Sequence, residues 1–105
     1  MADFMKILQQ AQEMQGKFQQ VQAELQQQTV TASAGGGMVT VEANGQGTIR
    51  SIKVDPSVVD KADVEMLEDL VLVAVTEAQK KAQEAAQAEM GKLTGGLNLP
   101  FKLPF

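Results

Sequence analysis

Seven apolar side chains recur near the start of the chain at alternating intervals of three and four residues: Phe4, Ile7, Ala11, Met14, Phe18, Val21 and Leu25. That spacing is a heptad seam, with Phe4, Ala11, Phe18 and Leu25 at the a positions and the other three at d. Residues 3–28 contain no proline and one glycine, Gly16, and are otherwise rich in helix-favouring Gln, Glu, Lys and Ala. One long helix is therefore expected. An isolated helix would leave the seam in water, so it must pack on its own domain or on a partner helix. Gln9, Gln10, Gln12, Gln15, Gln19, Gln20, Gln22 and Gln26 to Gln28 crowd its other faces with uncharged polar groups.

The period then changes. Thr29 to Ala34 alternates, is β-branched at its start, and stops at Gly35-Gly36-Gly37. Met38 to Ala43 alternates again and ends at Asn44-Gly45-Gln46-Gly47, a turn-forming cluster of the hairpin kind. Thr48 to Val54 makes a third strand, closed by Asp55-Pro56. Short connections predict an antiparallel meander whose outer edges stay open unless a second chain covers them.

A second helix follows, with Asp60 as its expected N-cap and Asp63 completing a capping-box-like pair. Its apolar stripe runs Val64, Leu67, Val71, Ala74, Ala78, Ala82 and Ala85, and Met66, Leu70 and Val73 widen the first half. A helix apolar around most of its circumference, in so thin a domain, points to a subunit interface. The residues expected there are Met66, Leu67, Leu70, Val71, Val73 and Ala74. The fold class is thus α+β, a helix, a three-stranded antiparallel meander and a helix (α-β-β-β-α), assembled as a homodimer. Residues 1–92 read as one domain, and residues 93–105 as a Gly- and Pro-punctuated apolar tail that docks on the sheet or a partner.

The chain has no His, Cys, Trp or Tyr. Zinc and copper lose their preferred ligands, and proton transfer near neutral pH loses its usual carrier. What remains would need a shaped pocket that 105 residues rarely build, so no enzyme, cofactor or small-molecule substrate is expected. Absent cysteine fits a reducing, cytoplasmic compartment. The longest apolar run, Leu70 to Val75, is too short to span a membrane, and an acid stands at Asp3 where a signal peptide carries cations. The triple glycine precedes a strand rather than a helix, so a turn explains it better than a phosphate loop. Asp60, Asp63, Glu65, Glu68 and Asp69 suit the start of a helix and do not converge on a rigid loop as a hard cation requires.

Net charge is −4, and residues 57–90 hold eight acids against three lysines. An acidic chain is not an obvious ligand for nucleic acid. The cations Lys6, Lys17, Lys80, Lys81 and Lys92 nevertheless fall on distal helix segments, away from the acids at the start of the second helix. A two-fold dimer would double that pattern into a pair of spaced arms.

From Gly35-Gly36-Gly37-Met38-Val39-Thr40-Val41 onward the chain resembles the YbaB/EbfC family of bacterial nucleoid-associated proteins. The likeness continues through Asn44-Gly45-Gln46-Gly47, Ile52-Lys53-Val54-Asp55-Pro56-Ser57 and Glu65-Met66-Leu67-Glu68-Asp69-Leu70, and closes on Leu93-Thr94-Gly95-Gly96-Leu97. The resemblance implies a tweezer-like homodimer that binds double-stranded DNA in the nucleoid with low sequence specificity and influences gene expression. It further implies contact through the projecting helices, and so through Lys6, Lys17, Lys80, Lys81 and Lys92, which lie outside the matching motifs. The alternative is a protein-interaction or scaffold role with no direct DNA contact, suggested by the acidity, the apolar tail and the Gln-rich helix.

Overall fold

The computed structural model describes residues 2–95. Helix α1 (Ala2–Gln27) leads into strands β1 (Thr29–Ala34), β2 (Val39–Asn44) and β3 (Ile49–Val54), then a 3-10 turn (Pro56–Val58) and helix α2 (Val64–Gly95). This is the expected α-β-β-β-α order. The strands pair antiparallel in the order β1-β2-β3, so β2 is central. Register runs from Thr29↔Asn44 to Ala34↔Val39 across the first pair, and Val39 faces Val54 across the second, with an irregularity between Glu42 and Ala43.

Each turn follows from its residues. Gly35, Gly36 and Gly37 all take positive φ, which side-chain-bearing residues resist. Gly35 also lies under α2, where a Cβ would stand 2.9 Å from Leu70 Cδ2. In the second hairpin the buried Asn44 supplies the brace, its Oδ1 accepting from Gln46 N at 2.9 Å and Thr48 N at 3.0 Å.

The core is thin and built largely of small residues. Ala32 and Ala34 of β1, Val39, Val41 and Ala43 of β2, and Ala74 and Ala78 of α2 form one buried cluster. Alanine on both layers lets the helix lie close on the sheet, and little volume is needed to close the gap. The opposite face of β1 presents the exposed Thr29, Thr31 and Ser33. Ile52 of β3 remains 45% exposed, because the core cluster is drawn from β1, β2 and α2.

The expected N-cap is corrected. α2 begins at Val64, and Asp63 caps it, its Oδ1 accepting from Met66 N at 3.2 Å. Asp60 belongs to the preceding turn, where its Oδ1 accepts from Ala62 N and its carbonyl from Asp63 N. That turn occupies Lys61 and Ala62, so the helix starts later than the acid pattern suggested. At the other end α2 continues to Gly95, and residues 96–105 of the expected tail lie outside the described residues.

α1 is fixed to the sheet only at its C-terminus. Leu25 is buried, its carbonyl accepts from Gly45 N at 2.7 Å, and Arg50 Nη2 donates to the carbonyl of Gln26. A Cβ at Gly45 would stand 2.8 Å from Leu25 O, so the close approach depends on glycine there. Beyond the sheet, α1 and the distal part of α2 run side by side in opposite directions. Gln22 lies near Gln79 and Gln83, while Lys17 and Val21 lie near Glu89 and Leu93. The result measures 72 × 24 × 16 Å, a small body with a long helical projection.

Candidate nucleic-acid interface

The five lysines expected to meet DNA do not form one continuous patch within a single chain. Lys6 is exposed on the first turns of α1, well away from the sheet. Lys17 and Lys92 come together across the helix pair, lining one hollow with Gln20, Val21, Glu24, Glu89 and Leu93. Two carboxylates share that hollow, and Lys92 Nζ lies 3.4 Å from Glu89 Oε1. Lys80 and Lys81 are exposed on the part of α2 that covers the sheet, and Lys81 Nζ donates to the Thr31 carbonyl at 2.8 Å. Lys81 thus ties α2 to the outer strand β1, and Lys80 has the freer position of the pair.

The fold adds an amide-rich groove that spacing along the chain did not reveal. Gln22, Gln46, Gln79 and Gln83 line it with Leu25, Gly45, Gly47 and Ala86, around a volume of about 460 Å³. Gln46 Nε2 donates to both the carbonyl and Oε1 of Gln22, at 3.1 and 3.2 Å. Gln79 Nε2 donates to the Gly47 carbonyl at 3.4 Å. These bonds join α1, the second hairpin turn and α2. The only sequence signal for them is an excess of glutamine, which does not say which glutamines meet.

The apolar residues assigned to self-association divide into three groups. Ala74 is fully enclosed by the chain's own sheet and has no surface left for a partner. Leu67, Leu70 and Val71 are half-buried against the core. Met66 and Val73 are exposed. Leu72, absent from the expected set, is 65% exposed and lines a shallow apolar groove of about 490 Å³ with Leu67, Glu68, Val71 and Val75. Its place inside the run Leu70 to Val75 was the available signal, and the helical stripe alone passed over it.

Asp55, at the end of β3, accepts from Ser57 N at 2.9 Å and caps the 3-10 turn. That hydrogen bond to the backbone, supported by the Ser57 side chain, holds its carboxyl below the ordinary value of 3.8. Among the described residues no group of three or more acidic, His or Cys side chains is placed to hold a metal ion. Nor is any described helix long and apolar enough to cross a membrane.

Comparison with known proteins supplies the context for this geometry. A nucleoid-associated protein of Gemmatimonas aurantiaca is 54% identical over 103 residues, which covers 98% of this chain and 99% of the relative. Another, from Clostridium novyi, is 55% identical over 94 residues, covering 90% of this chain and 82% of the relative. The fold is shared with an uncharacterized protein of Helicobacter pylori at a TM-score of 0.80 and 24% identity, covering 88% of this chain and 97% of that one. The model of the YbaB/EbfC DNA-binding family matches residues 1–97. Family and relatives together indicate a DNA-binding protein and not an enzyme. With helix, meander and helix in the expected order and the match spanning nearly the whole sequence, this chain belongs to the YbaB/EbfC DNA-binding family.

Proposed function

We propose that the chain is a nucleoid-associated protein that binds double-stranded DNA as a homodimer, with low sequence specificity, and influences gene expression. The observation that carries the reading is the family match over residues 1–97, and nucleoid-associated relatives at about half identity support it. The geometry supplies a mechanism. Exposed Lys6 and Lys17 stand on a projecting helix, and Lys92 faces Lys17 across the helix pair. Acid is concentrated instead near the start of α2, where Asp60, Asp63, Glu65, Glu68 and Asp69 are all exposed. Lysines are point charges that meet phosphates and carry no base readout, so relaxed sequence preference follows. The exposed glutamine amides of α1 add neutral donors along the same backbone path.

The dimer reading rests on the groove at Leu67, Val71, Leu72 and Val75, joined by exposed Met66 and Val73. An apolar surface of this kind on so thin a body is best covered by a second copy. A second copy doubles the lysine-bearing arms, so phosphate contacts that are few on one chain act together.

Titration of unrelated duplexes at two salt concentrations tests the reading. Affinity should fall steeply with salt, differ little between sequences, and weaken with a shallower salt slope in Lys6→Gln/Lys17→Gln. No binding at low salt overturns the DNA reading and leaves the scaffold alternative. Sedimentation of Leu72→Glu tests the assembly. A shift toward monomer is expected because the position is exposed in the single chain, and undiminished association overturns this interface.

A further inference from the structure

Among the described residues, the N-terminal half of α1 carries an apolar stripe left open. Phe4 is 58% exposed, Ile7 61%, Leu8 45% and Phe18 41%, and Met14 is half-buried. Further along the same stripe the chain supplies its own cover, since Leu25 is buried and Val21 is half-buried in a hollow with Leu93. We infer that the open part, from Phe4 to Met14, is a second self-association surface, on which α1 of another copy packs antiparallel. It is separate from the groove at Leu67, Val71, Leu72 and Val75, and it does not depend on DNA. With that groove occupied as well, dimers would join through the ends of their arms into larger assemblies.

Spacing, charge and register agree. In the heptads of α1, Phe4 and Ala11 stand at a, Ile7 and Met14 at d, Leu8 at e, and Asp3, Gln10 and Lys17 at g. Antiparallel helices related by a two-fold axis pair a with d, g with g and e with e. Phe4 then meets the partner's Met14 and Ile7 meets the partner's Ala11, each contact being repeated by symmetry. In the same register exposed Asp3 lies beside the partner's exposed Lys17, Gln10 beside the partner's Gln10, and Leu8 beside the partner's Leu8. Opposite charges, paired amides and a further apolar contact thus flank one seam. A shift of one heptad, bringing Ile7 to the partner's Phe18, would set Asp3 against the partner's Glu24. It would also need Val21, which already lies in the hollow with Leu93. Parallel pairing would set Asp3 beside the partner's Leu8 and Lys17 beside the partner's Gln22, and would lose both ion pairs. Asp3 and Glu13 balance Lys6 and Lys17 on this arm, so two copies carry no net charge into the contact. Lys6, at c, stays off the seam. The overlap is about 15 Å of helix already formed in each chain, so little ordering opposes association.

Sedimentation of the full chain without DNA, over a concentration series, tests the surface. The parent should exceed the mass of two chains at high concentration, and Ile7→Glu should not. Circular dichroism of that variant should match the parent, because Ile7 is exposed in the single chain. In a Leu72→Glu background the pairs that persist should dissociate when Ile7→Glu is added, so failure of the α2 groove and failure of the α1 seam are read separately. Equal masses for parent and Ile7→Glu at every concentration overturn the proposal and leave the stripe bare or covered within its own chain. Charge tests the register. Lys17→Glu should weaken association about fivefold, and Asp3→Lys/Lys17→Glu should restore it. Absence of rescue overturns the antiparallel pairing. The chain has no cysteine, so introduced ones report direction. Under mild oxidation a mixture of Phe4→Cys and Met14→Cys chains should link roughly tenfold faster than Phe4→Cys chains alone, whose sulfurs stand about 15 Å apart in this arrangement. Equal rates, or a faster link in Phe4→Cys alone, overturn it as well.

Discussion

The two helices carry equally regular apolar stripes and meet opposite fates. In α2 the stripe lands on the sheet, and Ala74, Ala78 and Ala82 lose all exposure. Among the described residues of α1 only Leu25 is buried, and Phe4, Ile7 and Phe18 stay open although they are larger and individually more apolar than alanine. Regular spacing therefore says that a helix has a face to cover. It does not say how much of that face its own domain can reach. The three-stranded sheet accommodates one helix, and α1 meets the sheet and its second hairpin turn through its last turns, where Gly45 bonds Leu25, Arg50 bonds Gln26 and Gln46 bonds Gln22. Where α2 is fully closed on the sheet its side chains are alanine, because small residues suit a close helix–sheet contact.

That contrast can be broken most severely at the alanine ridge. Ala78→Asp puts an unpaired carboxylate into a fully closed contact, and a loss of about 3 kcal/mol or more is expected. Circular dichroism should show a chain unfolded or melting far below the parent. Retention of the parent melting temperature would mean that α2 is not seated on the sheet through this ridge.

Two truncations on the α1 seam sharpen the same comparison. Leu25→Ala removes a buried side chain at the anchor and should cost about 2–5 kcal/mol in denaturant unfolding. Phe4→Ala removes a larger side chain from the open end and should cost about 1 kcal/mol. Equal losses at the two sites would mean that the whole seam is covered as firmly as its anchor.

The smallest effect belongs to Asp55, at the turn into α2. Its carboxyl is held below 3.8 by bonding to Ser57, so the stabilisation is present above the ordinary aspartate value. It is lost as pH falls through the lowered folded-state value. Asp55→Asn should be slightly less stable at neutral pH and should show a flatter decline between about pH 5 and about pH 3 in urea midpoints. An unchanged acid limb would remove Asp55 from the fold's pH dependence.

Much of the fold was legible in local pattern. The change of period at Thr29, the triple glycine and Asn44-Gly45-Gln46-Gly47 mark the meander because turn chemistry and alternation are properties of adjacent residues. The helix start was misplaced at Asp60 because several acids in a row each satisfy the capping preference, and only backbone geometry selects among them. The site was less legible. The spacing of Lys6 and Lys17 could be read along one helix, but the meeting of Lys17 with Lys92 and the tie from Lys81 to Thr31 depend on contacts between distant segments. The same holds for the junction of Gln22, Gln46 and Gln79.

By itself the sequence determined the two helices, the three strands between them, and the absence of His and Cys that removes the usual catalytic and metal-binding side chains. It also determined that the first helix carries a seam in need of cover. The tertiary structure decided which stripe is buried within the chain and which is left for another segment or copy. The physical reason is that periodicity records the direction a side chain takes from its own backbone, whereas burial depends on what stands opposite. In this chain a sheet of three short strands stands opposite α2 and reaches only the last turns of α1.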